Sequence, residues 1–158
     1  MTRLIALTTV LVVLTALPAQ GQQMEVSELD SRPASVGSSE YFTGTAIIEP
    51  LFSPNEAARA SAARVLFAPG ARTAWHSHPR GQRLAVTSGH GWVQQRGGER
   101  RKIEPGDVVW TPPGVEHWHG ATPSQSMSHI AIQEEKNGSV VEWMDPVTDD
   151  EYREGADE

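Results

Sequence analysis

From Tyr41 onward the chain is a succession of short apolar or β-branched runs cut by glycine and proline, and that punctuation restricts it to folds built from short strands. Runs that read as strands are Tyr41–Ile48, Ala62–Phe67, Arg83–Thr87, Gly91–Arg96, Asp107–Thr111, Ser128–Gln133 and Val140–Met144. Turn signals stand between them, among them Ala68-Pro69-Gly70, Ser88-Gly89, Glu104-Pro105-Gly106, Pro112-Pro113-Gly114 and Asn137-Gly138. This spacing predicts an all-β sandwich or barrel. A length of 158 residues suits one domain with its own core. Two short helical pieces are expected, at Asn55–Arg59 and Thr148–Arg153. The second opens on a Thr/Asp cap with acids in its first turn.

Composition removes several chemistries. The chain has no cysteine, which excludes disulfide scaffolds, thiolate metal sites and thiol nucleophiles. A formal charge of −7 argues against a general nucleic-acid binder. The charge is uneven: Asp145–Glu158 holds seven acids and one base, whereas Asn55–Gln133 holds nine bases and five acids. An acidic tail, read as solvated, thus follows a mildly basic body. At the other end Arg3 precedes the apolar run Leu4–Leu17 and then Pro18-Ala19-Gln20-Gly21. A basic start, a hydrophobic stretch too short to span a bilayer and small residues at a cut site describe a secretory signal. A secreted, periplasmic protein is expected, with no membrane association after cleavage.

The histidines carry the chemical signal. His76 and His78 stand at i and i+2, and so do His117 and His119. On strands, that spacing turns both rings of a pair to one face. Two such pairs among Gly/Pro turns in a small β domain can converge on a divalent first-row metal.

Set in order, Gly70, His76, His78, Gln82 and Gly89 resemble the first cupin motif, with Gln82 at the position of its acidic residue. Gly106, Pro112, Gly114 and His117 resemble the second, with Ala121 at the position of its terminal Asn. The resemblance implies a single conical β-barrel of two antiparallel sheets (a double-stranded β-helix) with one metal on His76, His78, Gln82 and His117. On this plan, residues 1–21 are the signal peptide, 22–40 a flexible arm, 41–145 the cupin domain and 146–158 an acidic tail with a short helix. Further stretches, including Pro69–His76, His117–Ala121 and His129–Glu134, are similar to a group of bacterial cupins. That group includes the manganese-dependent hydroxynitrile lyases that cleave and form (R)-mandelonitrile.

Glutamine in place of glutamate leaves the four donors neutral, so a bound divalent ion keeps its whole charge for polarising an oxygen or a nitrile. Mn(II) is the expected ion, with Fe(II), Zn(II) or Ni(II) as alternatives. By resemblance His129 is the general base, and imidazole is suited to that role at neutral pH. His119 shares a face with His117, and His129 with Gln133. Thr73 is placed to support a hydrogen bond, and Ala63 and Val65 to wall the pocket. Trp75, Trp92, Trp110 and Trp118 read as packing or subunit-contact residues. The expected partner is a small molecule, and resemblance adds a homodimer. The expected reaction is cyanohydrin cleavage to an aldehyde and cyanide. The alternatives are a metal-dependent oxygenase or decarboxylase acting on a small aromatic or carbonyl compound, and a cupin that binds a metal or small acid without turnover.

Overall fold

The computed structural model describes residues 23–154, and the expected signal segment lies outside them. Alternation of inward apolar and outward polar residues gives two antiparallel sheets that face each other. The first sheet runs β1 (Ser35–Val36), β3 (Ala46–Phe52), β4 (Ala60–Phe67), β12 (Met127–Glu134), β7 (Gln82–Gly89) and β10 (Val108–Thr111), in that order. In the second sheet, β11 (His117–Ala121) is central. On one side it pairs with β6 (His76–Ser77) and β5 (Arg72–Thr73), which carry β13 (Glu142–Trp143) and β2 (Phe42–Thr43). On its other side lie β8 (Gly91–Gln95) and then β9 (Arg101–Ile103). The all-β architecture expected from the punctuation is therefore the one that forms.

The register sets what the interior contains. On β12, Met127, His129, Ala131 and Gln133 point inward, while Ile130 and Ile132 turn out. One end of the interior is apolar, with Phe67, Met127, Ala46, Ala71 and Ala121 all fully buried. The opposite end is polar. Gly89 closes the β7–β8 hairpin at φ 70°, where a Cβ would lie 1.8 Å from the Ser126 carbonyl oxygen, so only glycine fits.

Three local readings change. Asn55–Arg59 is a turn rather than a helix: Asn55 Oδ1 accepts the N–H groups of Ala57 at 2.9 Å and Ala58 at 2.8 Å. A short amide side chain that satisfies its own backbone competes with helix formation. The run Tyr41–Ile48 is split by Gly44, at φ 77°, into β2 and the start of β3. The expected arm contributes Ser35 and Val36, which pair with Ile48 and Ile47 at the edge of the first sheet.

The described part of the acidic segment is docked through Val147 and Tyr152, while Asp145, Asp149, Asp150 and Glu154 stay exposed. Helix α1 (Asp149–Arg153) starts at a capping box in which Thr148 Oγ1 accepts the Glu151 N–H and the Glu151 carboxylate accepts the Thr148 N–H. Five residues do not hold a helix alone, so tertiary contacts must. Val147 and Tyr152 are buried with Trp75 and Trp118 on the outer face of the second sheet. Arg72, itself buried, donates to the Val147 carbonyl at 2.9 and 3.2 Å and to Asp149 at 2.8 Å, and its guanidinium lies over the Tyr152 ring. The Tyr152 hydroxyl donates to the Ala121 carbonyl at 2.7 Å. Tyr152→Phe should cost about 1–2 kcal/mol, the usual loss for one buried neutral hydrogen bond. Urea unfolding checks this, and an unchanged midpoint would mean that the hydroxyl does not secure the helix.

Candidate metal centre

His76 and His117 are direct cross-strand partners on β6 and β11, so both rings enter the interior together, with centroids 4.2 Å apart. His78, just beyond β6, brings a third ring 5.1 Å from His76 and 5.6 Å from His117. Gln82 opens β7 on the facing sheet and sets its Oε1 3.1 Å from His117 Nε2. All four side chains are at most 4% exposed. The structure thus brings together the four residues that the motif spacing singled out.

Their hydrogen bonds fix what they can bind. His76 Nδ1 donates to the Ala74 carbonyl at 3.0 Å, His78 Nδ1 to Val140 at 2.6 Å and His117 Nδ1 to Val115 at 3.1 Å. A carbonyl only accepts, so each Nδ1 carries the proton and each neutral ring keeps a bare Nε2. His78 Nε2 is buried with no partner. His117 Nε2 and Gln82 Oε1 then face each other as two acceptors, an arrangement that a cation between them relieves. Burial keeps the rings neutral. It drives the His76 imidazole well below its ordinary pKa, with help from the neighbouring His117 and His78, and brings His117 down to about 4. Neutral imidazoles and an amide oxygen suit a first-row divalent ion.

A second grouping overlaps this one. Ring nitrogens of His76, His117 and His119 lie within 4.8 Å of one another, so this triad could also hold an ion. His119 differs from the other three in that its Nδ1 meets His129 Nε2 at 3.1 Å instead of a carbonyl. The outer nitrogens of this pair, His119 Nε2 and His129 Nδ1, are buried without partners. With both rings neutral and one proton in the shared contact, one outer nitrogen is a donor and the other a bare acceptor. Burial lowers His129 to about 4.

The remaining expected site residues fall on β4, β5 and β12, the strands beside this cluster. Thr73 Oγ1 accepts the His119 backbone N–H at 3.2 Å, which fixes β11 rather than reaching into the cavity. Val65 is opposite His129 and Ala63 opposite Ala131, forming an apolar wall beside the imidazole pair. Gln133 Nε2 donates to Ser61 Oγ at 3.1 Å, leaving Oε1 buried and unpartnered. Sequence reasoning missed Trp143 and Phe67. Trp143 pairs with His76, its ring 4.9 Å from that imidazole and stacked on Tyr41 at 4.7 Å. Phe67 sits 5.7 Å from His119 and 5.6 Å from His129. Alternation within Val140–Met144 was the signal available for Trp143.

Comparison with known proteins agrees with this geometry. Residues 63–132 match the family model of the cupin domain. The chain is 52% identical over 130 residues to a Granulicella tundricola protein named (R)-mandelonitrile lyase, covering 82% of this chain and 99% of that one. A crystal structure of a cupin-like protein from Thermotoga maritima superposes with a TM-score of 0.71 at 42% identity, covering 82% of this chain and 96% of that one. A polyketide cyclase from Streptomyces resistomycificus shares the fold, with a TM-score of 0.64 at 17% identity over 83% and 92% of the two chains.

The buried imidazoles make stability depend on pH. In the unfolded chain they titrate near 6.5, whereas His117 and His129 stay neutral in the fold down to about 4. Between those values the unfolded state binds protons that the native state refuses, so stability falls as the pH is lowered. Urea unfolding of the metal-free protein should show a plateau above pH 6.5 and a steep decline toward pH 4. A flat profile across that window would contradict neutral burial.

Proposed function

The chain belongs to the cupin family, and on that footing we propose that it is a metal-dependent lyase that cleaves and forms a cyanohydrin, releasing an aldehyde and cyanide. What supports this reading is 52% identity to the (R)-mandelonitrile lyase over nearly that protein's whole length. The neutral four-donor cluster beside a buried imidazole pair supplies the chemistry. His76, His78, Gln82 and His117 hold the ion in this proposal, because three carbonyls lock the imidazole tautomers with Nε2 free. A divalent ion there, Mn(II) first and Fe(II), Zn(II) or Ni(II) otherwise, supplies Lewis-acid polarisation.

The protein's own groups handle the proton. His129 is the base, working through His119. The cyanohydrin hydroxyl gives its proton to His119 Nε2 while His119 Nδ1 passes its own to His129 Nε2 across the 3.1 Å contact. The C–C bond breaks as the oxygen's electron pair forms the carbonyl, and the bonding pair leaves with cyanide. The His129 imidazolium, made acidic by complete burial, returns the proton along the same path to give hydrogen cyanide and aldehyde. Ala63, Val65 and Phe67 exclude water from the pair, and Gln133, on the same face of β12 as His129, orients the substrate. In the same proposal Met1–Gly21 directs the protein to the periplasm. Two copies pair through the outer face of the first sheet, where Leu66, Val108, Trp110 and Ile132 are exposed.

Two measurements test this. Metal content per chain, read after dialysis against Mn(II), should be one ion in the native protein and in His119→Ala. It should be lost in His78→Ala and His117→Ala, and the reverse pattern for His78 and His119 would move the ion to the second grouping. The mature Mn(II)-loaded protein should release benzaldehyde enantioselectively from racemic mandelonitrile. His129→Ala should lower kcat about 100-fold or more with its metal retained. No release above the His117→Ala control, with metal bound, would overturn the lyase reading.

A further inference from the structure

A cleft of about 600 Å³ opens along the seam where β9, the last strand of the second sheet, faces β10, the last strand of the first. The Glu104–Asp107 turn joins the two edges, and among the described residues no strand covers the gap. Its walls are Val93, Ile103, Val109 and Val115, and it runs inward past Thr111 to His117. It therefore meets the metal centre from the side away from Ala63 and Val65, which flank β12 on β4.

The register places one charge on this path. His119 pairs with Val93 on β8, and Val93 pairs with Arg101 on β9. Paired residues share a face, so Arg101 stands on the inward face of the second sheet, in one row with His119. Two strand spacings, roughly 10 Å, separate their backbones. Arg101 is exposed at the mouth and, among the described residues, has no carboxylate partner and no side-chain hydrogen bond. Its neighbours are engaged: Lys102 pairs with Glu104 at 3.2 Å, Arg96 with Glu116 at 2.5 Å, and Arg100 lies over Trp92. Two acids, Glu99 and Asp107, also border the cleft, and Asp107 caps the turn by accepting the Glu104 N–H. With Arg101 and Lys102 they leave the rim without net charge, and since Lys102 is paired with Glu104, Arg101 is the one unengaged cation of the rim among the described residues.

We infer that this cleft is the distal arm of the substrate site and that Arg101 receives a carboxylate carried on the far end of the substrate. The inference rests on the proposed lyase reading and narrows it. The preferred substrates are cyanohydrins and aldehydes whose apolar middle, aryl or alkyl, lies along Val93, Ile103, Val109 and Val115, with a terminal carboxylate at the guanidinium. A planar, always-charged fork suits that group, and apolar walls exclude the water that would screen it.

The test uses the Mn(II)-loaded mature protein with two cyanohydrins, that of 4-carboxybenzaldehyde and mandelonitrile. The native protein should favour the carboxylate substrate in kcat/KM. Arg101→Gln should lower the ratio of the two kcat/KM values about tenfold through KM, and Arg101→Lys should restore part of it. A ratio that Arg101→Gln leaves unchanged overturns the inference. Cleavage of neither cyanohydrin overturns the lyase reading instead, and the cleft is then judged by calorimetry with 4-carboxybenzaldehyde alone. Binding weakened about tenfold in Arg101→Gln sustains it, whereas no binding, or binding that the variant does not alter, overturns it.

Discussion

Three backbone carbonyls, those of Ala74, Val115 and Val140, each take the Nδ1 proton of one imidazole, and the contents of the barrel's interior follow from that. With Nδ1 committed, each neutral ring can offer only a lone pair toward the centre, where the Gln82 amide oxygen adds another. Buried acceptors that face one another without donors are destabilising. The fold holds them there through the His76–His117 register and the fully buried apolar cluster around Phe67 and Met127. A cation is the partner this set of atoms lacks.

The outer surface of β11 serves the same end. Its residues alternate between His117 and His119, which face the cluster, and Trp118, which packs under Tyr152 on the opposite face. Arg72 and the Tyr152 hydroxyl tie the final helix to the backbone of β5 and β11. The chain after β12 also supplies the Val140 carbonyl to His78 and the Trp143 ring to His76. The segment that follows the barrel thus completes both its floor and its outer support.

Much of this was legible because strand periodicity acts directly on residue spacing. Histidines at i and i+2 must share a face, and Gly/Pro punctuation locates the strands that present them. Gln82 and His117 fell in place through motif spacing. The contact between His119 and His129 was not legible, since it depends on how close two facing sheets come. Nor was the Val140 carbonyl, because a backbone acceptor carries no mark of its residue type. Tyr152 was hidden by its surroundings: seven acids read as a solvated tail, yet Tyr152, Val147 and the Arg72 hydrogen bonds dock the capped helix within it. Asn55 misled in the opposite direction, because a helical-looking composition does not reveal an amide that closes its own turn.

The glutamine at position 82 ties these features to the proposed chemistry. A glutamate there would cancel one unit of an ion's charge. The amide cancels none, and the neighbouring imidazoles are held neutral by burial. An interior of neutral donors around a divalent charge favours whatever bound group develops negative charge, in a medium where water screens little. In cyanohydrin cleavage the charge develops on the departing cyanide, and the nearby His119–His129 pair can deliver a proton to it as it leaves. The same uncompensated charge would draw a substrate carboxylate onto the ion in competition with the reacting end, so in the inferred substrates the carboxylate sits at a distance. The cleft provides that distance, with its single unpaired guanidinium two strands away from β11.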